Sequence, residues 1–586
     1  MSVIESIRNS QRFRDRVSGI WLLICIAASV ALLHFGTDFE VNNTEWWRYL
    51  IDVIRVEKRL PTPYVWFLPL IFALYFAGTL FGRLVFRRKE YGDARKARPR
   101  DLATMRLDGT DNMIIGHMNN KPIIPKDDRH AVVIAGTRSG KSQAIVIPTL
   151  MNYRESVVVI DPKGELWDNT AGARSEFSDC YRLEWTAADT ARFNPISLDV
   201  LPDAPAALEL RVIQTASILV PPGDDYWSKE GHKAARALML LEIYDAKSEG
   251  RDADLANVAH FSGEIDLDGA GNDEDRDVTT LNDRLREAAQ RAKDRGYPRL
   301  CQTDLAELAT MASRQLSGVL GTMSAHLQVL KTEAVSAAIS KCDIHPKMLV
   351  EGDRPVSIYI VVKPNDAQFT SALTTTLITN FVLDLVSRSP AEAANHHSAL
   401  FILEEFSAMK KTPAIPELLD RGAGLGVHAM IVVQSLAQVR KIYSEDDLKT
   451  FVNNADFLVV FAVTDADTQQ WLERLVGKTT RRRESRSEAD RGHDSSSVSF
   501  EGVPLIMAQE WGEIPFGQHR VLVRYHNTRP IFATSKFAFE DPALSAKMKI
   551  HPPTVRPLAA PTASSPAPAE INSDDEAELA ARAGAE

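Results

Sequence analysis

Cysteine is scarce in this chain: four residues among 586, Cys25, Cys180, Cys301 and Cys342, lie far apart without paired spacing. That excludes a disulfide framework and a CxxC-type zinc site, and it suits buried thiols in a reducing compartment. A basic excess is also missing, since 78 Asp and Glu outnumber 68 Lys and Arg and leave a net charge of −10. A protein that coats nucleic acid over its whole surface is therefore excluded, and any contact with DNA must come from a local patch or an assembled ring. No HExxH stretch occurs, which excludes a zinc-peptidase helix. His232 in "EGHKAARALML" has neither the following Glu nor a second His four residues on.

Long apolar runs are present, and both lie near the N-terminus. "SGIWLLICIAASVALLHF" (18–35) has no charged residue apart from the terminal His34, and "YVWFLPLIFALYFAGTLF" (64–81) has none. Each approaches the roughly 20 apolar residues of a spanning helix, so transmembrane helices are expected at about 18–37 and 64–86. Trp21, Trp46, Trp47 and Trp66 supply interfacial aromatics. The first run lacks a clear small-residue cleavage site, which argues against a signal peptide. Arg8, Arg12, Arg14 and Arg16 precede the first run, and Arg87, Arg88, Lys89, Arg95, Lys96, Arg98 and Arg100 follow the second. Residues 1–100 thus read as a membrane anchor with both ends in the cytoplasm.

From residue 101 the chain reads as α/β. "HAVVIAG" (130–136), "SVVVID" (156–161), "VSIYIVV" (356–362), "ALFILEE" (399–405), "HAMIVVQ" (428–434) and "DFLVVFAV" (456–463) are runs expected of buried parallel strands. The segments between them are long enough for helical crossovers, so a doubly wound sheet over 101–205 and 346–550 is expected. Residues 206–345 break that rhythm with helical periods such as "AALELRVIQTASIL" and "LNDRLREAAQRAKDR". They read as an inserted all-α domain, interrupted by the acidic loop "GEIDLDGAGNDEDRD". Residues 551–586, Pro/Ala/Ser-rich and then acidic, are expected to be a disordered tail. That tail suits either a basic cargo protein or adaptor, or mere solubility.

The chemistry centres on "AVVIAGTRSGKSQAIVIPTL" (131–150). Ala135, Gly136, Thr137, Arg138, Ser139, Gly140, Lys141, Ser142 and Gln143 form an [AG]-x4-GK[ST] loop between a strand and a helix. Backbone N–H groups there converge on phosphates, Lys141 reaches the terminal phosphates, and the Ser142 hydroxyl ligates magnesium. A carboxylate is needed at a neighbouring strand end, and "ALFILEEFSAM" supplies Glu404 to hold Mg2+ through water and Glu405 to orient or deprotonate the attacking water. ATP and Mg2+ are the cofactors this set implies. Two other strand ends face the same crevice. Asp161, Lys163 and Glu165 end one, as site residues or as a charged turn. Gln434 ends the other and could sense the γ-phosphate or hold the water. Arg421 in "LLDRGAGLG" is a candidate arginine finger acting on the next subunit, with Arg440 as a rival and a solvated helix end as the plain alternative. "GKTTRRRESRS" (477–487) is the most basic soluble run, facing a pore or simply solvated, since no aromatics interleave its arginines.

The order of motifs resembles the type IV secretion coupling proteins, the TraG/TraD-like ATPases of bacterial conjugation. "YGDARKA", "AGTRSGKSQAIVIPTL", "VVVIDPKGELWDNTAG", "FNPIS", "YWSKEGHKAARAL", "SGVLGTMSAHLQVL", "ILEEFSAM", "VVQSLAQV", "NNADFLVVFAV" and "MAQEWGEIPFGQHRVLVRYHNTRPIFA" carry the resemblance across residues 91 to about 540. It implies a RecA-like P-loop NTPase domain in a homohexameric ring at the bacterial inner membrane. The partners implied are single-stranded DNA with its bound relaxase, protein effectors and the secretion-channel components, with cargo on the all-α domain. The family's first motif falls on Gly140, Lys141 and Ser142, its second on Glu404 and Glu405, and its sensor glutamine on Gln434. The family usually has Asp where this chain has Glu404, which puts the hydrolysis rate in question. A scaffold that binds nucleotide without hydrolysing it is the reading from another class. A septal DNA pump, with more spans and a winged-helix end, fits less well.

Overall fold

Apolar, β-branched runs pair into the central sheet of the protein. The computed structural model describes residues 91–555, except 137, 262–280, 395, 407–408, 488–494, 514–519 and 527. Both predicted spans, Cys25, the acidic loop, Thr137 and the tail from 556 onward lie outside the described residues. The chain forms two compact units, one of Met1–Arg95 with Glu473–Leu505, the other of Lys96–Leu472 with Ile506–Glu586.

Thirteen strands are described: β1 (His117–Met118), β2 (Lys121–Pro122), β3 (Ala131–Ile134), β4 (Ser156–Asp161), β5 (Asp179–Leu183), β6 (Val356–Val361), β7 (Ala399–Leu403), β8 (Val427–Val433), β9 (Phe457–Val460), β10 (Lys478–Ser487), β11 (Ser495–Pro504), β12 (Arg520–Tyr525) and β13 (Ile531–Thr534). The larger unit holds an 11-stranded sheet in the order β2-β1-β13-β12-β9-β3-β8-β7-β4-β6-β5. From β9 to β5 all neighbours are parallel. Strands β3, β4, β6, β7, β8 and β9 are buried along their whole length, which is why they read as continuous apolar runs. The sheet is not wholly parallel: β12 pairs antiparallel with β9 and β13, and β13 with β1, so it is mixed.

The core on one face runs from Ile115 and Val133 through Tyr153, Val159 and Tyr359 to Phe457 and Ile531. Arg174, fully buried in it, donates to the carbonyls of Leu150, Tyr153 and Glu155 and to Ser357 Oγ, so its charge is met by backbone dipoles. Between β5 and β6 the described residues hold helices only, among them α-helices Pro205–Leu219, Tyr226–Glu249, Leu281–Asp294, Arg299–Ala309 and Ser313–Leu327. His232 sits buried on the second of these, its Nδ1 3.0 Å from the Val220 carbonyl, as a satisfied core histidine. The helix Pro364–Val386 is long and apolar enough to cross a membrane, yet most of it is packed inside the protein. Its threonines return hydrogen bonds to carbonyls four residues back, for example Thr379 to Thr375, which lets a core helix carry hydroxyls. At the start of the expected tail, residues 551–555 are described, and Val555 is packed on the core.

Candidate functional site: the carboxyl edge of strands β3, β8, β7 and β4

Four adjacent parallel strands end side by side, and each end delivers one or two candidate groups. Strand β3 ends at Ile134 and the chain turns through Ala135–Gly140. Ser139 N–H reaches the Gly136 carbonyl at 3.3 Å, and Gly140 takes φ 77°, a left-handed conformation that glycine adopts without a Cβ penalty. The helix that follows opens with a π turn over Ser142–Val146 and continues as α1 (Ile147–Asn152). Pro148 lacks the N–H that an α register would aim at the Ala144 carbonyl, so the helix starts in a wider winding, a feature no periodic reading of the sequence reveals.

Across the edge, the carboxylates meet this loop. Ser142 Oγ donates to Glu404 Oε1 at 2.5 Å. Glu404 is only 7% exposed, and burial pushes its carboxyl above the ordinary range, partly offset by the Ser142 hydroxyl and the Lys141 ammonium. Glu405 follows at φ 57°, a left-handed conformation that costs a non-glycine residue about 1–2 kcal/mol. What holds it there is visible: Gln434 Nε2 donates to Glu405 Oε1 at 2.9 Å and Oε2 at 3.3 Å, and Lys141 Nζ lies 4.0 Å from Oε2. Gln434, directly after β8, is itself aimed by Gln438, whose Nε2 donates to Gln434 Oε1 at 3.1 Å. That contact commits the Gln434 nitrogen to Glu405. Gln438 did not emerge from the sequence, although its spacing of four from Gln434 is the available signal.

The other expected residues fall differently. Asp161, buried at the end of β4, accepts from the N–H groups of Trp167 at 2.9 Å and Lys163 at 3.3 Å, and so caps the helix α2 (Glu165–Arg174). Burial raises its carboxyl, opposed by those backbone bonds. Lys163 and Glu165 are exposed, 3.9 Å apart, a solvated turn pair. Arg421 ends the helix α3 (Ala414–Arg421), exposed and paired with Glu417 at 2.8 Å. It does not join the cluster, and Arg440 is tied to Glu445 at 2.6 Å.

The loop fits an anionic, phosphate-bearing ligand with a hard cation. Ser139 Oγ and Gln143 Oε1 are buried and meet no hydrogen-bond partner among the described residues, beside a left-handed glycine and a lysine. The hydroxyl of Ser142 and the carboxylate of Glu404 are oxygen donors of the kind Mg2+ takes.

Known proteins share the sequence pattern and the fold of this chain. The family described as Type IV secretory system Conjugative DNA transfer matches residues 95–559. The chain is 26% identical over 457 residues to conjugal transfer protein TraG of Escherichia coli, covering 73% of this chain and 69% of that one. It is 26% identical over 406 residues to protein VirD4 of Agrobacterium fabrum, covering 68% and 57%. The bacterial conjugative coupling protein TrwBdeltaN70 has the same fold with TM-score 0.55 at 15% identity, over 78% of this chain and 97% of that one. TrwB in complex with ADP and Mg2+ superposes with TM-score 0.51 at 15% identity, over 78% and 99%. With nearly four fifths of its length matched, the chain belongs to the type IV secretory conjugative DNA transfer family.

Proposed function

We propose that this protein is a membrane-anchored ATPase that couples DNA with its bound relaxase, or protein effectors, to a type IV secretion channel and drives their translocation by ATP hydrolysis. The observation that carries the reading is the convergence of Lys141, Ser142, Glu404, Glu405 and Gln434 at one strand edge. TrwB, of the same fold, is known in complex with ADP and Mg2+ and with a non-hydrolysable ATP analogue, which supports ATP and Mg2+ here.

In this reading Lys141 neutralises the terminal phosphate, while Ser142 and Glu404 hold Mg2+. When bound, that ion offsets phosphate charge as it develops. Glu405 takes the proton of the attacking water, and Gln434, aimed by Gln438, keeps its carboxylate turned toward the loop. Thr137, Arg138, Ser139, Gly140 and Gln143 complete the phosphate cradle with Ala135 and Gly136. Arg421 acts in trans: its exposed i,i+4 pair with Glu417 is worth only about 0.3–0.5 kcal/mol, so it exchanges readily for a phosphate of the next subunit. The runs at about 18–37 and 64–86 anchor a homohexamer in the inner membrane, and residues 206–345 form the all-α cargo domain inserted in the nucleotide-binding domain of 101–205 and 346–550.

The test is DNA transfer from donor cells whose own coupling gene is deleted. The full chain should restore transfer, and Glu405→Gln should lower it about 100-fold or more. Equal transfer by both would sink the proposal.

A further inference from the structure

The basic run 477–487 is neither a loop nor part of the large sheet. It is strand β10, paired with β11 at ten positions from Lys478↔Pro504 to Ser487↔Ser495 in a separate two-stranded sheet. A two-stranded ribbon is marginal in water on its own. At about 3.4 Å per residue this one is about 34 Å long, so it calls for a surface to lie on.

Its root is tied to the chain just past the second apolar run. Asp93 bridges Thr479, Ala94 N–H donates to the Lys478 carbonyl at 3.2 Å, and Tyr91 N–H donates to Thr480 Oγ1 at 3.2 Å. Tyr91 also covers Gly502, where a Cβ would stand 2.8 Å from the tyrosine Cβ. Four residues lie between position 86 and Tyr91, five steps along the chain and a reach of at most about 18 Å. Three of those intervening residues are Arg87, Arg88 and Lys89.

In the backbone register Arg481 stands opposite Glu501, Arg482 opposite Phe500, Arg483 opposite Ser499, Glu484 opposite Val498 and Arg486 opposite Ser496. Lys478, Arg481, Arg482, Arg483 and Arg486 against Glu484 and Glu501 leave a charge of +3 in a chain of −10. A ribbon whose sequence combines four arginines and a lysine with a phenylalanine and two valines has a composition suited to the lipid headgroup zone. A track for single-stranded DNA needs successive aromatics to stack bases, and these two strands carry one.

We propose that the β10–β11 ribbon docks on anionic phospholipid headgroups beside the second membrane span. This rests on reading 64–86 as that span. The probe is the full-length protein in nanodiscs of phosphatidylcholine alone or with phosphatidylglycerol, read by hydrogen exchange over 478–504. Exchange should be about tenfold slower in the anionic discs, with the gap closing at high salt and in the variant Arg482→Ser/Arg486→Ser. Strands β3 and β8 serve as the folding control, and if the double variant unfolds, the lipid and salt comparison on the unaltered chain decides. Equal exchange in both lipids overturns the proposal. So does slowing that needs an added single-stranded oligonucleotide, or that follows protein concentration and marks a second copy. Carbonate extraction separates the two readings: release from the bilayer means the span fails, whereas a retained chain with a lipid-insensitive ribbon means only the docking fails.

Discussion

Shortening Glu404 to aspartate probes the bond that ties the phosphate loop to the neighbouring strand end. Ser142 Oγ and Glu404 Oε1 are 2.5 Å apart, and removing one methylene withdraws the carboxylate by about 1.5 Å, beyond hydrogen-bond reach. A hydrogen bond to a charged group contributes about 1.5–3 kcal/mol, and water replaces it poorly at a residue 7% exposed. The nucleotide-free Glu404→Asp variant should therefore open locally about 10- to 100-fold more often. Hydrogen-exchange mass spectrometry over residues 140–146 reads that opening. With Mg2+ and a non-hydrolysable ATP analogue the difference should shrink, because a shorter carboxylate still suits a water-mediated metal contact. Unchanged exchange in the nucleotide-free protein would refute the idea that Glu404 pins the loop.

His130 and His428 lie 5.8 Å apart at the opposite end of β3 and β8, and burial lowers each to about 4. Both are neutral in the fold, so the stability they confer is full above pH 6.5 and lost as pH falls through about 4; for His428 this is about 3 kcal/mol. Thermal midpoints of the protein and of His428→Asn at pH 7 and pH 4 check it: the variant should lose less on acidification, and equal losses contradict the assignment. Arg421→Ala should assemble normally and lose about 1,000-fold in ATP turnover, whereas full activity in an assembled variant sinks its trans role.

Much of the frame was legible because its signals are local. Six parallel strands buried on both faces leave unbroken runs such as "VVVID" and "MIVVQ", and the loop from Ala135 to Ser142 is a contiguous motif. Strands β5 and β12 were not, since "DCYRL" is a half-buried edge and "RVLVRY" mixes arginine with apolar residues. The antiparallel part of the sheet, built by β12, β13, β1 and β2, went unread with β12. Within the site, Glu404 and Glu405 stand out as acids directly after a buried run, but their division of contacts does not. Ser142 meets Glu404 and Gln434 meets Glu405 because β8 lies between β3 and β7, a strand order that no single segment encodes. For Asp161 the sequence leaves a site role and a charged turn both open, and in the structure it caps α2.

The most direct test of the central claim is ATP turnover by the full-length protein with and without single-stranded DNA, alongside Lys141→Ala and Glu405→Gln. The account predicts turnover stimulated by DNA, loss of nucleotide binding in Lys141→Ala, and retained binding with turnover down about 100- to 10,000-fold in Glu405→Gln. Tight ATP binding without turnover under every condition would contradict it and leave a nucleotide-bound scaffold.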